Sequence, residues 1–240
     1  GLGSPPIGEG FVLVENGRIA GLGPMGEAPA AHDAPRLDLA GRTLMPGLID
    51  CHVHLVYSGF RSLDALDRLS LEASTVNAVN NAAKVIAAGY TSVRDVGTVG
   101  NVAATVRDAV NEGRVRGPRV IASGPIIGPT SGMVDTLPSG WQSSRGLGVL
   151  CDGVDAIVKE VRRQIKNGVD NIKLGASGVE VGPYAYTWMT TLSEAEIRAG
   201  TEEAHRWGRT VAIHCQSYDA VKFALRAGVD TIEHATRLDD

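Results

Sequence analysis

The chain has 240 residues, 43% of them apolar, and a net charge of −4. That is long enough for one large domain or two small ones around a substantial core. Lysines and arginines form no long runs, which argues against nucleic acid or an anionic membrane as a partner, and no run of about 18 apolar residues exists to cross a bilayer. Cys51, Cys151 and Cys215 are odd in number and scattered. They read as free thiols in a reducing, cytoplasmic setting rather than as a disulfide framework. The first residue is Gly, not Met, so the lack of a signal peptide says little about compartment.

Residues 10–23 hold an apolar run, then Asn16-Gly17, then a second short run, which is a hairpin signal. A polar, Ala- and Pro-rich stretch covers 24–36, and Leu37 to Thr43 reads as another short strand. Residues 1–43 are therefore expected to form part of a small β module. The segment from Leu44 to Leu55 reads as an apolar strand ending in His52-Val53-His54. Side chains alternate along a strand, so His52 and His54 share a face about 7 Å apart. Two imidazoles placed so can grip one divalent metal.

Beyond residue 55 one phrase repeats. A helical segment, 62–88, is closed by Gly89 and followed by a strand at 91–95. Helices closed by Gly113, Gly168, Gly208 and Gly228 lead into strands at roughly 119–123, 170–174, 210–214 and 230–234. Glycine after a helix supplies the left-handed residue that turns the chain into the next strand, and Ser193 with Glu196 is a capping-box start. Alternation of this kind implies βαβ units and a parallel sheet. Six such strands start with 44–52, where an eight-stranded barrel needs eight and about 250 residues. An open doubly wound sheet is the alternative, but its G-x-G-x-x-G fingerprint does not follow the first strand.

Four strand ends in this scheme carry metal-capable groups: His52 and His54, Lys173, His214 and His234. In a parallel barrel these ends share one face, where active sites form. One histidine at a strand end is ordinarily a satisfied polar side chain; four at equivalent positions are not. His32, in the polar linker, and His205, mid-helix, keep the ordinary reading. A lysine ammonium would repel metals. Lys173 therefore either pairs with a carboxylate or reacts with CO₂ to give an anionic carbamate, whose two oxygens can bridge two cations.

Taken together, these motifs resemble the metal-dependent amidohydrolase superfamily, in its imidazolonepropionase-like and prolidase-like branch. They are Met45-Pro46-Gly47 through His54-Leu55, Gly89 through Gly97, Ile172-Lys173 with Ser177-Gly178, Val211 through His214, and Ala227 through His234. The resemblance implies an α/β fold, a (β/α)₈ barrel over 44–240 with about six βα units present, and a partial β-sandwich over 1–43. It implies two divalent ions, zinc in the usual case, held by His52, His54, carboxylated Lys173, His214 and His234, with a hydroxide between them as the nucleophile. Relatives carry a proton-moving Asp after an eighth strand; Asp239 and Asp240 follow strand six and are not that residue, so the chain reads as a fragment that lacks it. The implied activity is hydrolysis of a small molecule, in a homo-oligomer.

Two departures bear on the substrate. Met133 stands where prolidase-like relatives often have His, and Gln216 where they often have Tyr or His. Their loss favours an apolar amide, urea or carbamate over an amino-acid or dipeptide substrate, unless Tyr184 or Tyr218 takes over the polar role. The aromatic-rich stretch from Gly182 to Met189 is a candidate wall for an apolar pocket. A dipeptidase, a cyclic-amide ring opener and a non-catalytic metal-binding scaffold remain alternatives.

Overall fold

The structure, a computed structural model, describes residues 5–30, 35–57, 65, 68–140, 146–180 and 182–238. The chain divides into two compact units, 1–45 and 46–240. His32, Asp239 and Asp240 lie outside the described residues.

In the first unit, β1 (Gly10–Glu15) and β2 (Arg18–Pro24) pair antiparallel. Asn16 and Gly17 both have left-handed φ, 52° and 72°, the conformation that a two-residue hairpin turn demands. The strand expected from Leu37 to Thr43 is absent. Asp38 Oδ1 instead accepts the Ala40 N–H at 2.8 Å, and Ala40 and Gly41 turn with φ of 50° and 77°. A carboxylate that bonds the backbone two residues on favours a turn over a ladder.

The second unit alternates strands and helices. Its elements are β3 (Leu48–Val53), α1 (Leu71–Ala87), β4 (Tyr90–Asp95), α2 (Val102–Asn111), β5 (Arg119–Ile121), β6 (Ile126–Gly128), β7 (Gly148–Leu150), α3 (Val154–Lys166), β8 (Asn171–Gly175), α4 (Glu194–Arg206), β9 (Thr210–Cys215), α5 (Tyr218–Ala227) and β10 (Thr231–His234). The helix expected over 62–88 begins at Leu71, where the Ser70 side chain accepts from Ala73 N; residues 58–64, 66 and 67 lie outside the described residues. Ser193 forms the expected capping box with Glu196. Gly89, Gly113, Gly168, Gly208 and Gly228 all have positive φ, which allows each helix to end and the next strand to begin.

The named strands of this unit pair in parallel, in the orders β3-β4-β5 and β10-β9-β8-β6-β7; a parallel bridge between Ser123 and Asn171 joins the two groups, and Ser177 and Thr190 form an isolated antiparallel bridge. The third strand departs from the expected single run over 119–123: it continues past Pro125 as β6, and the short β7 pairs with that extension. Apolar side chains on the outer face pack under the helices. Val93 and Val120 lie with Ala78, Ala82 and Val106, and Ile172, Leu174, Val211 and Ile213 lie with Ile157, Val161, Ile197 and Ala224. The alternate residues, Lys173, Ala212 and His214 among them, therefore face inward. The sheet curls until inward side chains of β10 meet those of β3 and β4: Arg94 Nη1 donates to Thr231 Oγ1 at 2.9 Å. The described residues form an α/β barrel arrangement whose strands follow the order β3, β4, β5 with its extension β6, β8, β9 and β10, with β7 beside β6.

Candidate metal centre

Register brings the expected ligands to one level. Gly175 on β8 lies beside His214 on β9, and Glu233 on β10 lies beside His214 from the other side. Lys173 is 1% exposed, one pair below that level, beside Ala212. His234 pairs with Cys215, whose side chain is in the outer core, so plain alternation would turn His234 outward as well. Its φ of 75° breaks the alternation and swings the ring inward. A non-glycine residue held in this region costs of order 1–3 kcal/mol, and such residues cluster at functional sites.

The four rings form an arc. Ring centroids are 5.4 Å apart for His54 and His52, 4.9 Å for His52 and His234, and 4.7 Å for His234 and His214. Among the described residues no three His, Cys, Asp or Glu side chains make a ready cage for one ion. To hold an ion the histidines would need a further donor, and Lys173 lies close enough to interact electrostatically with His54, His214 and His234. Its Nζ is buried with no hydrogen-bond partner. Among the described residues no carboxylate is hydrogen-bonded to it, although Glu233 attracts it electrostatically. Burial lowers its pKa to about 7, against the attraction of Glu233. An amine that is neutral near pH 7 is the form that can take up CO₂.

Outer contacts set the ring tautomers. His54 Nδ1 donates to the Gly97 carbonyl at 2.9 Å, which leaves Nε2 as its lone pair. His214 Nε2 donates to the Gly178 carbonyl at 3.1 Å, which leaves Nδ1. His52 Nδ1 meets Glu233 Oε2 at 2.6 Å. Burial would raise the pKa of Glu233, but the His52 bond, the charge of Lys173, the Thr231 hydroxyl and Arg94 together hold it down to about 2. It is therefore an acceptor, and His52 too keeps Nε2 as its lone pair. Burial depresses His54 to about 4 and His214 to about 3, and it lowers His234. Neutral rings with one nitrogen fixed as donor and the other left bare are what a metal site requires. The donor set fits two divalent ions, given an anionic bridge on Lys173.

The sequence reading missed three members of this arrangement. Asp95, fully buried, accepts from Leu55 N at 2.8 Å and Gly97 N at 3.0 Å, so one carboxylate positions the residues on both sides of the His54 bond. Burial raises its pKa to about 7, against hydrogen bonds from Leu55, Gly97 and Ser123. Tyr57 stacks on His54 with centroids 4.7 Å apart. Arg94 holds Glu233 at 2.7 Å. Asp95 and Arg94 sit in segment 89–97, which was singled out for other reasons.

The substrate candidates separate. Met133 is buried with Ile126 and Leu147, against Tyr57, Val134 and Val179. A methyl group at Gly175 would come within 2.8 Å of its sulfur, so Met133 lies over the end of the lysine strand. Gln216 follows His214 by two; its N–H donates to Ser177 Oγ at 2.8 Å, while its buried Oε1 has no partner. Tyr184, Tyr186 and Trp188 are 43%, 55% and 61% exposed, and Tyr218 is 45% exposed. The aromatic side chains of this loop are thus partly exposed. The loop's own backbone is what reaches the site, through Gly178.

The Amidohydrolase family profile matches residues 43–240. The chain belongs to the amidohydrolase family. An ochratoxinase from Aspergillus niger is 31% identical over 225 residues, covering 82% of this chain and 44% of that protein. The crystal structure of an amidohydrolase superposes with a TM-score of 0.85 at 35% identity, over 95% of this chain and 57% of the other. A prolidase complexed with N-methylphosphonate-L-proline gives 0.77 at 33% identity, over 86% and 52%. With imidazolonepropionases also among the relatives, this amidohydrolase falls in the imidazolonepropionase-like and prolidase-like branch, and its barrel is a TIM barrel. The chain spans about half the length of the relatives it matches.

Proposed function

We propose that the intact protein is a hydrolase of non-peptide C–N bonds, of amide, urea or carbamate type, working with two divalent metal ions. Zinc is the ion of choice, and Lys173 acts as a carboxylated bridge. The observation that carries this reading is Lys173: a buried amine without a hydrogen-bond partner, among four histidines, three of them held by outer hydrogen bonds. His52 and His54 would hold one ion, His214 and His234 the other. Bound there, divalent zinc supplies an activated water at neutral pH and polarises a carbonyl.

The chain's own residues then do the positioning. Glu233, Gly97 and Gly178 keep three rings in the donor tautomer. Asp95 anchors the backbone that presents His54. Met133 and Tyr57 offer an apolar surface beside this group, which supports a substrate with an apolar acyl or aryl portion. The unpartnered Gln216 Oε1 is an acceptor suited to a substrate N–H. A small-molecule substrate, a homo-oligomeric state and a cytoplasmic location belong to the same proposal. Among the described residues no helix is long and apolar enough to cross a membrane.

A second reading, a dipeptidase for free-carboxylate substrates, is favoured by the likeness to the prolidase. A panel of aryl amides, phenylureas, N-acyl amino acids and Xaa-Pro dipeptides, assayed with the intact zinc-loaded protein, separates the two. Turnover of the neutral substrates at higher kcat/KM supports the proposal, and preference for free carboxylates replaces it with the second reading. Metal analysis tests the centre itself. Fewer than about one ion per chain, with Lys173 unmodified by mass, would defeat the binuclear arrangement and leave a barrel without this chemistry.

A further inference from the structure

We infer that Arg94 and Glu233 form a positioning pair that holds the ring of His52 from across the barrel. The geometry does not depend on a metal; its consequence for metal binding rests on the proposal above. Glu233 Oε2 takes the His52 Nδ1–H at 2.6 Å, and Oε1 takes Arg94 Nη2 at 2.7 Å and the Thr231 hydroxyl at 2.8 Å. Arg94 Nη1 reaches Thr231 Oγ1 at 2.9 Å, and Arg94 Nε reaches the Cys51 carbonyl at 2.8 Å. Arg94 therefore grips the backbone one residue before His52 and also the carboxylate that holds the His52 ring. These contacts link β3, β4 and β10. The Glu233 side chain is 8% exposed and that of Arg94 17%.

The two histidines of the His-x-His strand are thus held differently. His54 rests on a neutral carbonyl supplied by the loop after β4, through Gly97. His52 rests on a carboxylate from the far strand, with 181 positions between the two. Among the described residues β3 and β10 share no backbone pairing, so side chains alone set the His52 ring against His234. A carboxylate behind a ligating imidazole fixes its tautomer and raises its basicity, and loss of such a partner typically weakens metal binding 10–100-fold. Arg94 keeps that carboxylate aimed at His52, although it touches no histidine ring.

The test uses the intact protein, metal-free, with ¹⁵N-labelled histidine. His52 is expected to appear as the Nδ1–H tautomer in the wild type and to shift towards Nε2–H in Glu233→Gln and Arg94→Met. Zinc affinity, measured by competition with a chromophoric chelator, is expected to fall 10–100-fold in both variants, with partial recovery in Glu233→Asp. Circular dichroism identifies any variant that fails to fold, and Arg94→Lys is the milder substitute, keeping the charge while losing the fork. An unchanged His52 tautomer in folded Glu233→Gln overturns the pair, as does wild-type zinc affinity in both variants. A wild type that binds no zinc yet shows the tautomer shift in the variants supports the pair and defeats the metal reading instead.

Discussion

Replacing Lys173 by Met should stabilise the metal-free protein at neutral pH while abolishing its activity. Lys173 is 1% exposed and its Nζ has no hydrogen-bond partner. Burial, its largest influence, moves the pKa from 10.5 down to about 7. Between those values the unfolded chain binds a proton that the native state resists, so native stability from this group is full above pH 10.5 and is lost as pH falls to 7. At 1.36 kcal/mol for each tenfold in protonation, the penalty at pH 7 is roughly 5 kcal/mol. Methionine has a similar length and no charge to desolvate, so it escapes that penalty. Urea unfolding of chelator-treated wild type and Lys173→Met in CO₂-free buffer, from pH 7 to 10, measures the difference. The gap between the two should be largest at pH 7 and close by about 1.4 kcal/mol per pH unit. Added bicarbonate should stabilise the wild type and leave the variant unchanged. Parallel stability curves for the two proteins, without any narrowing towards alkaline pH, would refute the reasoning.

Other consequences follow from the same geometry. Asp95 has its pKa raised by burial from 3.8 to about 7, so its native state holds a proton more tightly than the unfolded chain. Stability from this group is present below pH 3.8 and falls as pH rises to 7, and in thermal melts Asp95→Asn should lose that slope. A methyl group at Gly178 would meet the backbone of Ala185 and Tyr186 at 2.3 Å. Gly178→Ala should therefore move the loop, cost about 1–3 kcal/mol or more, and lower kcat by displacing the carbonyl that orients His214; an unaltered melt would count against this. Chelation should abolish turnover and lower the melting temperature, with zinc restoring both, and a chelated protein of unchanged melting temperature would argue that no ion is bound in the native state.

Much of the barrel was legible because its signals are local. A glycine with left-handed φ after a helix, at Gly89, Gly168 or Gly228, marks a helix-to-strand turn whatever lies elsewhere in the chain. The Asn16-Gly17 hairpin and the Ser193 capping box are local in the same sense. Where the expectation was wrong, a local competitor had been overlooked. Asp38 bonding back to Ala40 N turned the expected strand over Leu37–Thr43 into a turn, and the break at Pro125 split the third strand.

The sequence by itself determined that strands alternate with helices and that four histidines and a lysine stand at or near strand ends, because alternation along a strand is a property of a few neighbouring residues. Tertiary structure decided the rest. It swung His234 inward through a positive φ, against the pleat. It buried Lys173 without a partner, and it set Arg94 and Glu233, 139 positions apart, behind His52. Such contacts join residues far apart in the chain, so no window of sequence contains both partners, and only closure of the sheet brings them within hydrogen-bonding reach.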